Sequence, residues 1–324
     1  MEKIEKKIRE IAGKLLKDEK VKLVIGFENG TLPMKARPTF IKIQENVEKL
    51  VWNSLCENNL AVYIPFYRQL MDKGDKIGVI AKGCDARSLV LHFQENVAKR
   101  EQIVIIAIPC DGMLDRRKIE KEVFPNEITE LSENGDTIVI KGKEFEKTFK
   151  KTDFLCDDCN TCTHRKPVLY DELVESSTKE SEKSGDYGKI KEFESKEQDK
   201  RWKLFTDEVS RCIRCYACRN ACPSCYCKEC FVDCTNPQWI GTTIDEKTDL
   251  ELFQIIRTFH TAGRCVNCGS CTRACPMDID ISLLVNKLSI DAKRLFDYET
   301  GLDIEGKPVL NKYSEDDSNE GFFE

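Results

Sequence analysis

Apolar residues recur every three to four positions at the start of the chain, at Ile4, Ile8, Ile11, Leu15 and Leu16, which predicts an amphipathic helix over 2–19. The period then changes. The stretch Val21-Lys-Leu-Val-Ile-Gly-Phe27 predicts a strand, and Val47, Leu50, Val51 and Leu55 return to helical spacing. Residues 61–64, just before Pro65, predict a short second strand. Further on, 76–81 and 102–108 are two apolar runs separated by the Gly83-Cys84-Asp85 turn and a helical pattern over 86–99. That order is a βαβ unit, so the two strands are expected as parallel neighbours. A hairpin is expected near Thr137 to Ile140 and Gly142. Residues 171–200, rich in Ser, Lys and Glu, predict a solvated linker that divides the chain near residue 195. Past it, Leu252, Ile255, Ile256 and Phe259, and then Leu283, Leu284, Leu288 and Leu295, predict two helices with apolar core faces.

Composition sets the class. A chain of 324 residues with 40% apolar and 33% charged residues can bury real cores in two or three domains. The formal net charge of -6, with both signs mixed along the chain, argues against a nucleic-acid footprint. No apolar run approaches the roughly 18 residues of a membrane span. The start Met-Glu-Lys-Ile-Glu-Lys-Lys has no apolar signal region, so the 18 cysteines are expected reduced in an anaerobic-type cytoplasm, as metal ligands and not as disulfides.

Their spacing says which metal. Cys212, Cys215, Cys218 and Cys222 precede a Pro, and 53 residues later Cys265, Cys268, Cys271 and Cys275 repeat the pattern. Both runs read C-x2-C-x2-C-x3-C-P, the spacing of a two-cluster ferredoxin in which the fourth cysteine of each run ligates the other cubane. Cys212, Cys215, Cys218 and Cys275 are therefore expected on one 4Fe-4S cluster, and Cys265, Cys268, Cys271 and Cys222 on the second. Zinc motifs come instead as separated C-x2-C pairs. Arg211, Arg214, Arg219, Arg264 and Arg273 flank these ligands, where cations raise a cluster's potential or hold anionic partners. Between the runs, Cys225, Cys227, Cys230 and Cys234 form a possible fourth metal site, or one of them replaces Cys222 as a ligand.

A third group lies upstream. Cys84 and Cys110 each follow a predicted strand, so both should emerge at the carboxyl edge of one sheet, where open α/β sheets take their ligands. Cys84 also stands at a helix N-terminus, which favours its thiolate, and Asp85 is placed to cap that helix. Cys156, Cys159 and Cys162 form a C-x2-C-x2-C run without a fourth member. Cys84 completes it as a third cluster, with Cys110 as the alternative; a zinc site using His164 is the competitor. Cys56 reads as a buried structural thiol and His92 as a satisfied helix residue.

The Gly-Cys-Asp loop, the Pro-Cys-Asp-Gly turn and the C-x2-C-x2-C run resemble the beta-subunit family of deazaflavin-coenzyme-reducing hydrogenases and formate dehydrogenases. The ferredoxin module with Ala262-Gly-Arg-Cys265, and the tail from Phe296 to Asp303, also resemble iron-sulfur subunits of heterodisulfide-reductase-type complexes. The resemblance implies FAD beside one cluster, with Gly83, Cys84, Asp85 and Cys110 at the flavin and cluster site. No G-x-G-x-x-G supports a dinucleotide independently. The expected architecture is an α/β domain over 1–170 with a parallel βαβ unit, the linker, and a two-cluster ferredoxin-like domain with helical flanks over 201–324. The expected function is an iron-sulfur electron-transfer subunit working with a hydrogenase, formate dehydrogenase or heterodisulfide-reductase-like partner. The alternatives are an autonomous dehydrogenase acting on reduced deazaflavin or nicotinamide, a thiol/disulfide reductase using the extra cysteines, and a zinc-stapled scaffold.

Overall fold

The computed structural model describes residues 2–178, 188–241 and 246–311. The ends of the expected linker's middle (179–187) and of the chain (312–324) lie outside them. The first helix spans Glu2–Lys17 and buries Ile8, Ile11 and Leu15 against the sheet that follows. That sheet has five strands: β1 (Leu23–Asn29), β2 (Ala36–Ile41), β3 (Ile77–Ala81), β4 (Ile103–Ala107) and a last, very short one at Glu172–Leu173. Their order is β2-β1-β3-β4 and then the 172–173 strand, antiparallel only between β1 and β2. All five residues of β3 are buried, as in a parallel strand covered on both faces. The helix Gly83–Gln94 connects β3 to β4.

Several expectations change here. No α-helix forms over 47–55; a 3-10 turn covers Gln44–Lys49, and the next residues run on without regular structure. Residues 61–64 belong to a 3-10 helix, Leu60–Tyr67, and not to a strand. The Asn59 side chain accepts from Ala61 N and caps that turn, an option a reading of apolar residues alone does not weigh. β2 was not expected, because Arg37 and Pro38 interrupt its apolar pattern; Pro is tolerated there because β2 is the sheet's edge. The helix after β3 starts at Gly83 itself, so the expected turn is its first turn. It stops at Gln94 instead of continuing to Lys99, with Asn96 in the left-handed region.

The expected hairpin is a three-stranded antiparallel sheet, β5 (Ile128–Asn134), β6 (Thr137–Gly142) and β7 (Glu146–Lys150), over a small core of Ile119, Ile138, Ile140 and Leu155. In the 171–200 stretch, Asp171 accepts from Ile105 N and Val174 N donates to Ala107 O. This part adds the two-residue strand β8, Glu172–Leu173, to the main sheet, and a helix follows at Gly188–Glu194.

The cysteine-rich half is helical, with main helices at Gln198–Val209, Lys247–His260 and Ser282–Phe296. The expected apolar faces are rotated. In the 247–260 helix the buried side chains are Leu250, Phe253, Gln254, Arg257 and Thr258, while Leu252 and Phe259 are exposed. In the 282–296 helix Val285 and Ala292 are buried and Leu295 faces solvent. A face turned toward cysteines carries polar groups, which the apolar count reads as the outside. Among the described residues no helix is long and apolar enough to cross a membrane.

Candidate metal centres

The two cysteine runs fold alike. Arg214 and Asn267, each two residues after the first cysteine, have φ of 48° and 55°; Tyr216 and Gly269, each four residues after it, have 58° and 68°. Each run then enters a short helix, Ala217–Asn220 or Ser270–Ala274. The left-handed residues fold the loop back over its first cysteine, whose sulfur accepts a backbone amide: Arg214 N to Cys212 Sγ at 3.4 Å and Asn267 N to Cys265 Sγ at 3.3 Å. Ile279 N donates to Cys275 Sγ at 3.4 Å, and Gln254 Nε2 to Cys212 Sγ at 3.5 Å. Amides aimed at sulfur stabilise thiolate and cluster charge.

Burial pushes the Cys265 thiol well above its usual range, and the thiols that add to this are Cys268, Cys222 and Cys271. Around Cys218, burial raises the thiol to about 11, with Cys271, Cys212 and Cys275 as its cysteine neighbours. Cys222 thus lies near the second run and Cys275 near the first, Cys271 is close to Cys218 as well, and Cys215 is exposed. Arg257, buried in the 247–260 helix, faces Cys271, Cys218, Cys222 and Cys225. Its Nε and Nη1, and Nη1 of Arg273, have no hydrogen-bond partner among the described residues. Orphan guanidinium donors among thiols fit an anionic cluster, whose sulfurs are acceptors.

At the sheet edge, Cys84 occupies the first turn after β3, and Cys110 lies just past β4. The C-x2-C-x2-C run reaches them because Cys156 N donates to Met113 O at 2.9 Å and Cys110 N to Arg165 O at 3.0 Å. Gly83 is required by contact: a Cβ there would collide with His164 O. Cys84, Cys110, Cys159 and Cys162 line one cavity of about 40 Å³, together with Lys82, Cys268 and Arg273. Cys156 is not on that wall; it is 3% exposed, packed in the main core, with its thiol donating to Cys159. That bond, set against burial, brings Cys159 down to about 6. Burial raises Cys84 and takes Cys110 up to about 12. A thiol so raised becomes a ligand only by giving its proton up to metal.

Asp85 accepts from Lys82 N at 2.8 Å and Leu60 N at 2.7 Å, and pairs with the buried Lys82 ammonium at 2.9 Å. It is a structural anchor of the helix start. His164 Nδ1 lies 2.9 Å from Thr163 Oγ1 and 3.4 Å from Glu299 Oε1, within an ion-pair group with Arg87. Cys56 is fully buried, its thiol raised to about 12 by burial. His92 donates from Nε2 to Pro223 O at 2.7 Å.

The insert cysteines are spread out. Cys225 contacts Cys222, Cys230 faces Arg219, and Cys227 is exposed. Cys225, Cys227 and Cys230 line a cleft of about 450 Å³ with Tyr226 and Phe66, while Cys234 instead bonds Cys230 O at 3.5 Å. Among the described residues no three His, Cys, Asp or Glu side chains converge at the distances of a single ion. Lys82, Gln254 and Arg257 were not picked out by sequence; a Lys or Arg embedded in an apolar stretch is the signal that marks them.

A 4Fe-4S dicluster domain model matches residues 208–279. The F420-dependent formate dehydrogenase subunit beta of Methanocaldococcus jannaschii is 26% identical, over 92% of this chain and 92% of its own length. The F420-dependent formate dehydrogenase 1 subunit beta of Methanococcus maripaludis is 25% identical, over 89% and 88%. The chain is similar to these beta subunits along most of its length. It is an iron-sulfur, 4Fe-4S electron-transport protein. Among solved structures, a chain of the F420-reducing NiFe hydrogenase complex from Methanosarcina barkeri matches with a TM-score of 0.38 and 12% identity, covering 49% of this chain and 58% of that one. The beta-subunit likeness runs through both halves, from the sheet edge to the ferredoxin-like runs.

Proposed function

We propose that the chain passes single electrons within an oxidoreductase complex, through a sheet-edge cluster and two ferredoxin-type clusters, in the cytoplasm. The carrying observation is the cavity where Cys84, Cys110, Cys159 and Cys162 of the α/β half meet Cys268 of the ferredoxin-like half. Two redox centres so close exchange electrons without a mobile carrier. On this reading 1–170 is the α/β domain, 171–200 the charged linker and 201–324 the ferredoxin-like domain. The relatives' names support a formate dehydrogenase partner, with a deazaflavin coenzyme on one side.

The clusters supply one-electron chemistry when bound; the chain's residues hold and bias them. Cys212, Cys215, Cys218 and Cys275 hold one, and Cys265, Cys268, Cys271 and Cys222 the second. Cys159, Cys162 and Cys84 hold the third with Cys110, whose place on the cavity wall supports it over Cys156. Amides on Cys212, Cys265 and Cys275 and the buried Arg257 stabilise added negative charge. FAD, which the resemblance implies, does not fit this cavity: about 40 Å³ is far below the roughly 300–1,000 Å³ of an organic-ligand site. No step here runs through it.

Anaerobic purification with iron, sulfide, zinc and released flavin quantified tests the reading. About twelve irons per chain are expected, and about sixteen if the insert cysteines hold a fourth centre. Cys218→Ala should remove or convert one centre by electron paramagnetic resonance and lower stability, since a cluster binds only the folded chain. Cys56→Ser should keep every iron. Zinc in place of iron, or an unchanged spectrum in Cys218→Ala, sinks the assignment. Turnover of reduced deazaflavin by the isolated chain would favour the autonomous dehydrogenase instead.

A further inference from the structure

Arg273 lies in the second cysteine run, on the wall of the cavity where the two halves meet. Its Nη2 donates to Cys268 O at 2.8 Å and lies 3.5 Å from Ser270 Oγ on its own side. It also donates to Glu57 O, at 2.8 Å, on the α/β side. Nε is 3.5 Å from the Glu57 carboxylate, and Nη1 has no partner among the described residues. A Cβ on Gly269 would press against Nη1 and collide with the carboxylate of Asp158, so this guanidinium and the sheet-edge loop close on one point. The acidic groups facing the guanidinium are Cys156, Cys159, Glu57 and Cys268, of which Cys159 belongs to the sheet-edge centre and Cys268 to the centre of the second run. Arg257 faces Cys271, Cys218 and Cys222 of the two ferredoxin-type runs and Cys225 of the insert.

We propose that Arg273 is a positioning residue shared by two redox centres: its single positive charge stabilises the reduced state of both the sheet-edge cluster and the cluster of Cys265, Cys268, Cys271 and Cys222. This rests on the reading under Proposed function. One-electron reduction of either centre adds one negative charge, and no proton moves at Arg273, which stays charged throughout. When the electron crosses, one centre is oxidised by one and the other reduced by one, and the cation stays beside both. Arg273 would thus serve the sheet-edge centre and the Cys265 centre together, while Arg257 would serve the ferredoxin-type centres. A cation tied to one centre alone would favour an electron there and oppose its transfer. A shared one leaves the step level.

The test is an anaerobic redox titration of the full chain followed by electron paramagnetic resonance, with the Cys212 signal identified by its loss in Cys218→Ala. In Arg273→Gln the sheet-edge and Cys265 signals should both titrate lower, each with the reduced-to-oxidised ratio down about tenfold at fixed potential, which is about 59 mV for one electron. The Cys212 signal should stay put. Arg273→Lys, which keeps the charge without the fork, should return both signals to their original potentials. A shift of the Cys265 signal alone, or of neither, overturns the proposal. Should the glutamine variant fail to load iron, the lysine variant decides: potentials moved with the charge retained overturn it, and wild-type potentials support it. A wild type with fewer than three centres defeats the underlying reading and this inference with it; a full set with unmoved potentials in Arg273→Gln defeats the inference alone.

Discussion

His92 shows how a residue with no part in the chemistry records the packing of the two halves. It is fully buried in the 83–94 helix, donates from Nε2 to the carbonyl of Pro223, and meets the Tyr226 ring edge-on at 5.4 Å. Burial holds its pKa down at about 4, against an ordinary 6.5, so the folded chain keeps it neutral. The unfolded chain takes up a proton below pH 6.5, and the folded one does not until about 4. Stability is therefore unaffected by His92 above 6.5 and falls as the pH drops from 6.5 toward 4, by about 2 kcal/mol between pH 6.5 and 5. His92→Gln, whose amide can still donate to Pro223 O, should flatten that slope in anaerobic denaturant unfolding at pH 7 and 5. Equal slopes in the two proteins would show that another group titrates. The sequence marked His92 as satisfied, which holds for Nε2 alone: its partner is 131 residues away, beyond any local pattern, and the buried Nδ1 has none among the described residues.

At the scale of elements, the ferredoxin-like runs were legible because their ligand spacing is imposed by the cube, and backbone and sequence repeat together. Residues 214 and 216 match 267 and 269 in left-handed φ, though only one of the four is Gly. Gly269 is that one because the Asp158 carboxylate and Arg273 leave no room for a Cβ, whereas Tyr216 points into space it shares with Phe253 at 5.3 Å. Gly269→Ala should cost roughly 1–2 kcal/mol from φ alone, more with the collision, and should release iron from the second run before the first. Iron retention during a mild chelator challenge would check this. Where no ligand dictates the chain, the reading was weaker. The 44–67 stretch was misread because its 3-10 turns depend on caps such as Asn59, and β8 because two residues are too short a run to show a period. The 247–260 helix was found, but its buried face carries Gln254 and Arg257, which serve the cysteines.

Across the whole molecule, the parallel sheet and the run spacing were both readable, yet what joins them was not, because it is built from long-range polar contacts. Arg264 grips Glu95 with two bonds, Nε to Oε1 at 2.7 Å and Nη2 to Oε2 at 2.8 Å, and also donates to the Tyr226 hydroxyl at 2.8 Å. Arg87 Nε reaches Thr300 O at 2.9 Å, and Arg117 Nη1 pairs with Asp278 at 2.6 Å. Among the described residues the Arg264–Glu95 pair is the most enclosed of the cross-half ion pairs, with side chains 15% and 9% exposed. Burial works against the Arg264 charge, and the Glu95 bonds more than restore it. Removing one partner of such a pair leaves the other charge stranded, a loss of roughly 3–5 kcal/mol at full burial and less at this exposure. Arg264→Met keeps the stem and deletes the fork, so Glu95 alone carries the penalty. Removing both charges, in Arg264→Met with Glu95→Gln, should recover much of the loss, because the stranded carboxylate is gone. Anaerobic denaturant unfolding of the two single variants and the double is the check. If each single costs under about 0.5 kcal/mol and the double is their sum, the pair is a surface contact, and the halves are held by the cysteine-lined cavity and the remaining arginines.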